Sequence, residues 1–236
     1  MNILLLDRYI TLFFNGSQSL YVDGLAWYVT QTSTWLPLIL VLLYMVIKNN
    51  DLSGVFRVVI GIALCILLAD QVASSIFKPL VARWRPTNDP NIMYMVDVVR
   101  GYRGGSYGFF SSHAANTMAV ATFLALLVRN KQFTFWVYSW SFFNCWSRIY
   151  LGVHYFGDLL VGCLWGGFVG WMMYRFIIRK YEAKLQQQNY LCQEGATNLS
   201  VEPSQSVYSS RSVHCFIAAL WLTYFYIIFR ALFFQG

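Results

Sequence analysis

Six apolar stretches, near residues 24–47, 54–77, 113–129, 132–150, 157–179 and 212–233, constrain this chain more than any other feature. Each approaches the roughly 20 residues that a helix needs to cross the hydrocarbon of a bilayer. The chain is 58% hydrophobic and only 11% charged over 236 residues, whereas soluble domains carry roughly a quarter charged residues. A water-soluble enzyme is therefore a poor reading of this composition. The short connections predict an all-α, multi-pass transmembrane helical bundle of about six spans.

Ahead of the first stretch, Leu4-Leu5-Leu6 is broken at once by Asp7-Arg8, and no basic region precedes it, so a signal peptide is not expected. Residues 1–22 mix apolar and polar groups and end in Asn15-Gly16-Ser17-Gln18. They read as an interfacial helix on the bilayer surface rather than a seventh crossing. The expected organisation is an interfacial segment at 1–22, a transmembrane core at 23–180, a polar cytoplasmic linker at 181–211 and a last transmembrane helix at 212–236.

Net charge is +7, yet the basic residues sit at helix ends and in short loops, so no nucleic-acid partner is implied. Alternating crossings place nine of them (Lys48, Arg57, Arg129, Lys131, Arg175, Arg179, Lys180, Lys184, Arg211) on one face and five (Arg8, Arg83, Arg100, Arg103, Arg230) on the other, with three further cations discussed below set aside. The richer face is expected to be cytoplasmic. Five cysteines, including Cys65 and Cys163 within apolar stretches, show no CxxC or metal spacing and read as small buried hydrophobes. No metal and no cofactor is implied.

Three polar clusters interrupt the apolar pattern, all at the poorer face. They are Lys78 with Arg85-Pro86, then Ser111-Ser112-His113, then Ser147-Arg148 with His154 and Asp158. A phosphate monoester resists hydrolysis so strongly that rate gains approaching 10²¹ are needed. The catalyst must offset the dianion's charge, supply a nucleophile and protonate the departing oxygen. Arg85 and Arg148 present forks of donors to phosphate oxygens, and Lys78 adds a point charge. Ser111 offers a hydroxyl, and the backbone N–H groups at Ser112 and His113 would open a helix aimed at the anion.

His154 and Asp158 are four apart, one turn from each other if helical. A carboxylate that accepts the proton of one ring nitrogen leaves the other as a nucleophile. His154 is thus the expected nucleophile, Asp158 its orienting acid, and His113 the general acid that protonates the leaving group. Any one of these cations alone would read as a membrane-edge anchor; their convergence at same-side span ends does not.

The three clusters resemble the motifs of the type 2 phosphatidic acid phosphatase (PAP2) superfamily of integral-membrane lipid phosphatases. Lys78, Arg85 and Pro86 meet the first motif, and Ser147, Arg148, His154 and Asp158 the third. The second, Pro-Ser-Gly-His, is met by Ser111 and His113, while Phe110 and Ser112 stand for its proline and glycine. The resemblance spans about 78–158. It implies a phosphohistidine mechanism in which Lys78, Arg85, Ser111 and Arg148 hold phosphate, and Ser112 is counted with them.

Other residues carry weaker signals. Asp70, inside the second stretch, needs a partner, because an intramembrane carboxylate costs roughly 2.5–3.5 kcal/mol on insertion scales. Asn116 suits helix packing or support of His113, and His214 an interfacial position. Trp84, Tyr102, Tyr107 and Tyr155 flank the clusters. Arg100 and Arg103, in the glycine-rich run to Gly108, are expected to form a mobile basic loop over the site, suited to a headgroup with more than one phosphate.

The expected partner is a phosphorylated lipid in the bilayer, entering sideways between helices; the sequence leaves the oligomeric state open. The expected place is a bacterial cytoplasmic membrane with the site on its extracytoplasmic face. Among substrates a lipid A-type phosphate ranks first, then undecaprenyl diphosphate, then phosphatidylglycerophosphate or phosphatidate. A phosphotransferase with the same site and a non-catalytic binder of anionic lipids are the rival readings.

Overall fold

A computed structural model describes residues 2–179 and 208–235. Among them the regular structure is helical, with one isolated bridge, Trp84 to Tyr107, in place of any strand. The expected linker at 181–211, together with Lys180, Lys184 and Cys192, lies almost wholly outside the described residues.

Two short helices come first, α1 (Ile3–Phe14) and α2 (Leu20–Thr30). At about 1.5 Å per residue neither is long enough to cross a bilayer. The single span expected at 24–47 is therefore divided. Thr30-Gln31-Thr32-Ser33-Thr34 is polar and rich in β-branched residues, and Trp35 donates its indole N–H to the Val29 carbonyl at 2.9 Å, closing a turn. A 3-10 turn, Thr32–Trp35, leads into α3 (Leu36–Asn49), whose Pro37 sits in the first turn, where no N–H is needed.

Next comes α4 (Leu52–Gln71), capped by Asp51 and prolonged through a π turn at Val72–Phe77 and a last α turn at Lys78–Val81. Three helices follow: α5 (Ser112–Val128), α6 (Lys131–Tyr150) and α7 (Phe156–Met173), which ends in a second π turn, Tyr174–Arg179. The last is α8 (Ser210–Ala231). Four helical stretches are long and apolar enough to cross a membrane: Thr32–Asn49, Leu52–Val81, Phe156–Arg179 and Ser210–Ala231. With α5 shorter but apolar, and α6 spanning 20 residues, the molecule is an integral-membrane helical bundle.

The closest packing joins α5 to α7, and the sequence shows why. Gly162, Gly166 and Gly170 form a stripe on α7 that faces the backbone of α5. A Cβ at Gly162 would lie 2.7 Å from the Ser111 carbonyl oxygen, and Cβ atoms at Gly166 and Gly170 would run into the carbonyls of Ala115 and Ala119. Small residues on both helices thus let the backbones touch, the usual substitute for a hydrophobic drive inside lipid. Phe123 of α5 fills the space over Gly61 of α4 in the same manner.

At one end of the bundle, α1 lies against the start of α7. Its apolar Ile3, Leu4, Tyr9 and Phe13 point outward, while Thr11 is buried. The Phe156 N–H donates to the Thr11 hydroxyl at 3.1 Å, and the Gly157 N–H to Asp7 Oδ1 at 2.8 Å. The long connection between Val81 and Ser111 covers the same end. Its glycine-rich half is pinned rather than loose: the Arg85 N–H donates to the Ser106 carbonyl, the Gly108 N–H to that of Arg83, and the Thr87 hydroxyl to that of Arg103.

Candidate active site

Lys78 arrives just after the π turn of α4, a bulge of the kind that often re-aims side chains at functional sites. Its ammonium donates to the Ser74 hydroxyl at 3.0 Å and to that of Ser112 at 3.1 Å. The Ser74 hydroxyl in turn donates to Asp70 Oδ1 at 3.4 Å. The partner of the intramembrane Asp70 is thus on its own helix, one turn from Lys78.

Arg85 is held extended (φ −70°, ψ 153°) by the proline that follows it. Its side chain is buried; Nη1 donates to the Val153 carbonyl at 3.1 Å and lies 3.2 Å from His154 Nε2. Gly104, at φ +67°, passes so near that a Cβ would sit 3.1 Å from Nη1. Both the backbone conformation and the space therefore call for glycine there.

Arg148, in the last turn of α6, is buried as well. It donates from Nη1 to the Thr30 hydroxyl at 2.6 Å and from Nη2 to the Tyr102 hydroxyl at 3.2 Å. The Nε groups of both arginines are buried without a hydrogen-bond partner. Burial and then the positive charge of Arg148 lower the pKa of Arg85. Two buried cations, each with a donor to spare, are able to receive an anion.

His154 is not helical. It sits in the turn after Gly152 (φ +65°), ahead of Tyr155, which caps α7 with extended backbone. The helical i,i+4 face suggested by the spacing is replaced by a capping turn that brings the same two groups together. Asp158 Oδ2 accepts the Tyr155 N–H at 3.1 Å and stands 3.6 Å from His154 Nδ1. The imidazole, 1% exposed, therefore has Asp158 behind Nδ1 and the Arg85 guanidinium in front of Nε2. Burial first, then the charges of Arg85, Arg148 and Lys78, hold its pKa well below the ordinary value. A neutral ring with an unprotonated nitrogen among cations can attack phosphorus.

The Ser111–His113 cluster opens α5. The Ser111 hydroxyl is the N-cap, accepting the Ala114 N–H at 3.4 Å, and its own N–H donates to the Asp158 carbonyl at 3.1 Å. His113, half-buried in the first turn of α5, therefore shares an anchor with the His154–Asp158 pair.

Several neighbours of the site have no role in the sequence reading, although Arg83 and Tyr155 are placed on its face. Arg83 donates to Asp158 Oδ1 at 2.9 Å and to Asp7 Oδ2 at 2.6 Å, with its guanidinium 3.9 Å from the centre of the Tyr155 ring. Asp158 is thereby clamped from both sides, and α1 is tied to the site through Asp7. Tyr155 donates to Asp89 Oδ2 at 2.6 Å, and Arg8 reaches the same oxygen at 3.3 Å. Thr30, at the end of α2, orients Arg148. Lone residues in distant segments leave no spacing pattern in a sequence; only the RxRP stretch around Arg83 offered a signal.

The flanking residues fall into place differently. Tyr102 and Tyr155 touch the site; Trp84 and Tyr107 pack against each other, tilted by 51° with ring centres 5.2 Å apart. Arg103 turns back to donate to the Thr87 carbonyl at 2.7 Å, and Arg100 points to the C-terminal end of α8, donating to the Gln235 carbonyl at 3.0 Å. The Asn116 side-chain oxygen is buried without a partner, and His214 is exposed near the start of α8. Cys65 and Cys145 are buried and Cys215 is exposed, all as free thiols. Among the described residues no three His, Cys, Asp or Glu side chains gather as a metal site.

Comparison with known proteins gives this geometry its context. The lipid A 4'-phosphatase of Bacteroides thetaiotaomicron is 41% identical over 81% of this chain and 85% of its own. That of Porphyromonas gingivalis is 35% identical over 73% of each. The crystal structure of a transmembrane PAP2-type phosphatidylglycerolphosphate phosphatase from Bacillus subtilis superposes with a TM-score of 0.53 at 20% identity, covering 74% of this chain and 85% of that one, and so shares the fold. The PAP2 superfamily profile matches residues 56–182, which hold all three clusters, and the chain is a member of that superfamily.

Proposed function

We propose that this protein is a phosphatase of lipid-linked phosphate, acting on the 4'-phosphate of a lipid A-type glycolipid through a phosphohistidine at His154. The observation that carries the chemistry is the placement of the His154 ring, with Nδ1 toward Asp158 and Nε2 toward Arg85. The substrate rests on the two relatives, which match this chain along most of their length.

In the first step Nε2 attacks phosphorus as the bond to the sugar oxygen breaks, and His113 gives its proton to that oxygen. Asp158, steadied by Arg83, keeps the Nδ1 proton in place and stabilises the positive ring. Arg85, Arg148 and Lys78, with Ser112 beside the lysine and Ser111 at the helix start, balance the charge on the phosphoryl oxygens. In the second step His113 takes a proton from water, water attacks phosphorus, and the P–N bond breaks. Inorganic phosphate leaves and free His154 returns. The site lies on the extracytoplasmic face of a bacterial cytoplasmic membrane, and the acyl chains stay in lipid throughout.

The test is phosphate release by the purified protein in detergent with EDTA, from bisphosphorylated lipid A, undecaprenyl diphosphate, phosphatidylglycerophosphate and phosphatidate. Lipid A is expected to lead, His154→Ala to be inactive, and His113→Ala to be slowed about 10²–10⁴-fold. Full activity of His154→Ala, or preference for a glycerolipid, would overturn the corresponding half of the proposal.

A further inference from the structure

Apart from the candidate active site, a cavity of about 920 Å³ opens between α2, the start of α3 and the C-terminal half of α8. That volume suits a ligand the size of a lipid headgroup with part of its chain. Its lining combines apolar side chains, Val41, Ala219 and Leu222, with polar ones, Gln31, Ser33 and two cations, Arg100 and Arg230. The cavity lies at the same end of the bundle as the three clusters, because α3 leaves that end and α8 returns to it.

Both cations are held by aromatic rings rather than acids. Arg230 donates to the Tyr226 and Tyr28 hydroxyls, each at 3.3 Å, and its guanidinium lies 5.0 Å from the centre of the Tyr28 ring. Arg100 lies 4.7 Å from the Phe234 ring and 5.6 Å from that of Trp27. Its backbone adopts φ +52°, a left-handed conformation costly for a side chain of this size. Neither guanidinium is within ion-pair distance of a carboxylate among the described residues. Two positioned cations without an acid, in a lining that is otherwise partly apolar, complement an anion attached to a hydrocarbon chain.

The cavity also adjoins the phosphate receptor. Trp27, in its wall, packs edge-on against Tyr102 at 6.0 Å, and the Tyr102 hydroxyl accepts from Arg148. Gln31 of the lining follows Thr30, the other acceptor of Arg148. A wall of one aromatic pair and the end of α2 therefore separates two anion receptors.

We infer that this cavity is a second phosphate subsite, in which Arg100 and Arg230 hold the phosphate that the substrate keeps while its other phosphate is removed, with an acyl chain along Val41 and Leu222. The inference rests on the proposed action on a bisphosphorylated lipid. It makes the enzyme selective for lipids bearing two phosphates, with Trp27 and Tyr102 setting the span between them.

The decisive comparison is Arg100→Gln/Arg230→Gln against wild type, with bisphosphorylated lipid A and a synthetic analogue bearing only the scissile 4'-phosphate, in neutral detergent. Both arginines are exposed, so folding is not at stake. The ratio of kcat/KM for the two lipids should fall at least tenfold in the variant; an unchanged ratio overturns the subsite. Binding measured in a His154→Ala background separates this outcome from failure of the proposed reaction. The bisphosphorylated lipid should bind more tightly than the analogue, and lose that advantage in the triple variant, even if wild type proves to release phosphate from some other lipid. Equal binding of the two lipids overturns the inference. So does a wild type whose turnover of the analogue depends on added phosphatidylglycerol and loses that dependence in the double variant, since the cavity would then take a separate lipid.

Discussion

A buried imidazole among cations links pH to stability in a defined direction. The environment of His154 keeps its pKa well below the ordinary value, whereas in the unfolded chain it binds a proton near pH 6.5. Between those two pKa values the unfolded state holds more protons, so stability rises with pH there and is complete above about pH 6.5. As pH falls below that value, this group alone removes up to about 1.4 kcal/mol per unit. The unfolding midpoint in detergent should be higher at pH 7.5 than at pH 5, with a smaller difference in His154→Gln; equal differences would show that the ring does not titrate as described. Arg83 makes a second residue-level test, since Asp158 is fully buried and Arg83 only partly so. Removing the cation leaves a buried carboxylate without its ion pair, a change of about 3 kcal/mol at the low end for buried pairs. Arg83→Gln should lose both stability and turnover. Arg83→Lys should keep much of the stability but not the turnover, because an ammonium cannot bridge Asp7 and Asp158 as a fork does. Identical losses in the two variants would reduce Arg83 to a simple charge.

Between elements, the α5–α7 contact sets the distance from His113 to His154, since His113 lies in the first turn of α5 and His154 in the turn that leads into α7. Gly166 meets the Ala115 carbonyl directly, while a Cβ at Gly167, one residue on, would find its nearest neighbours at 4.0 Å. Gly166→Ala must therefore push the helices apart, at about 1–3 kcal/mol, and should reduce phosphate release along with the melting temperature. Gly167→Ala should change neither, and matching effects from the two would dismiss backbone contact as the cause. The later spans could be read in the sequence because charged residues and caps end each apolar run: Ser111 before α5, Asn130 before α6, Arg175 and Arg179 after α7; the glycine stripe shows its purpose only against the backbone of α5. The division of residues 24–47 could not, since an average over apolar residues passes across Thr30–Thr34 without registering the turn that Trp35 closes. The glycines of 101–108 read as looseness, yet Gly104 and Gly108 lie against the Arg85 side chain. The same composition serves a flexible loop and a close approach, and only the neighbours tell them apart. Likewise the spacing of His154 and Asp158 announced a pair, but whether a helix face or a capping turn joins them depends on backbone angles that spacing does not carry.

For the molecule as a whole, the site draws Lys78 from the end of α4, Arg85 from the connection that follows, His113 from the start of α5, Arg148 from the end of α6 and Asp158 from the start of α7. Such a site exists only at one end of a bundle whose helices alternate in direction, so its chemistry and its orientation are a single question. The end that carries it also holds the connection from Val81 to Ser111, whose Tyr94 is among the most exposed side chains. The opposite end carries the Arg129–Lys131 turn, and the excess of cations there, nine against five in the sequence once Lys78, Arg85 and Arg148 are set aside, favours a cytoplasmic position. In a cysteine-free background, Tyr94→Cys should react in intact cells with a membrane-impermeant maleimide, and Lys131→Cys only after permeabilisation. The reverse pattern would turn the site toward the cytoplasm and require the lipid phosphate to be met in the inner leaflet. It would leave the geometry around His154 untouched but exclude the extracytoplasmic reaction proposed for it.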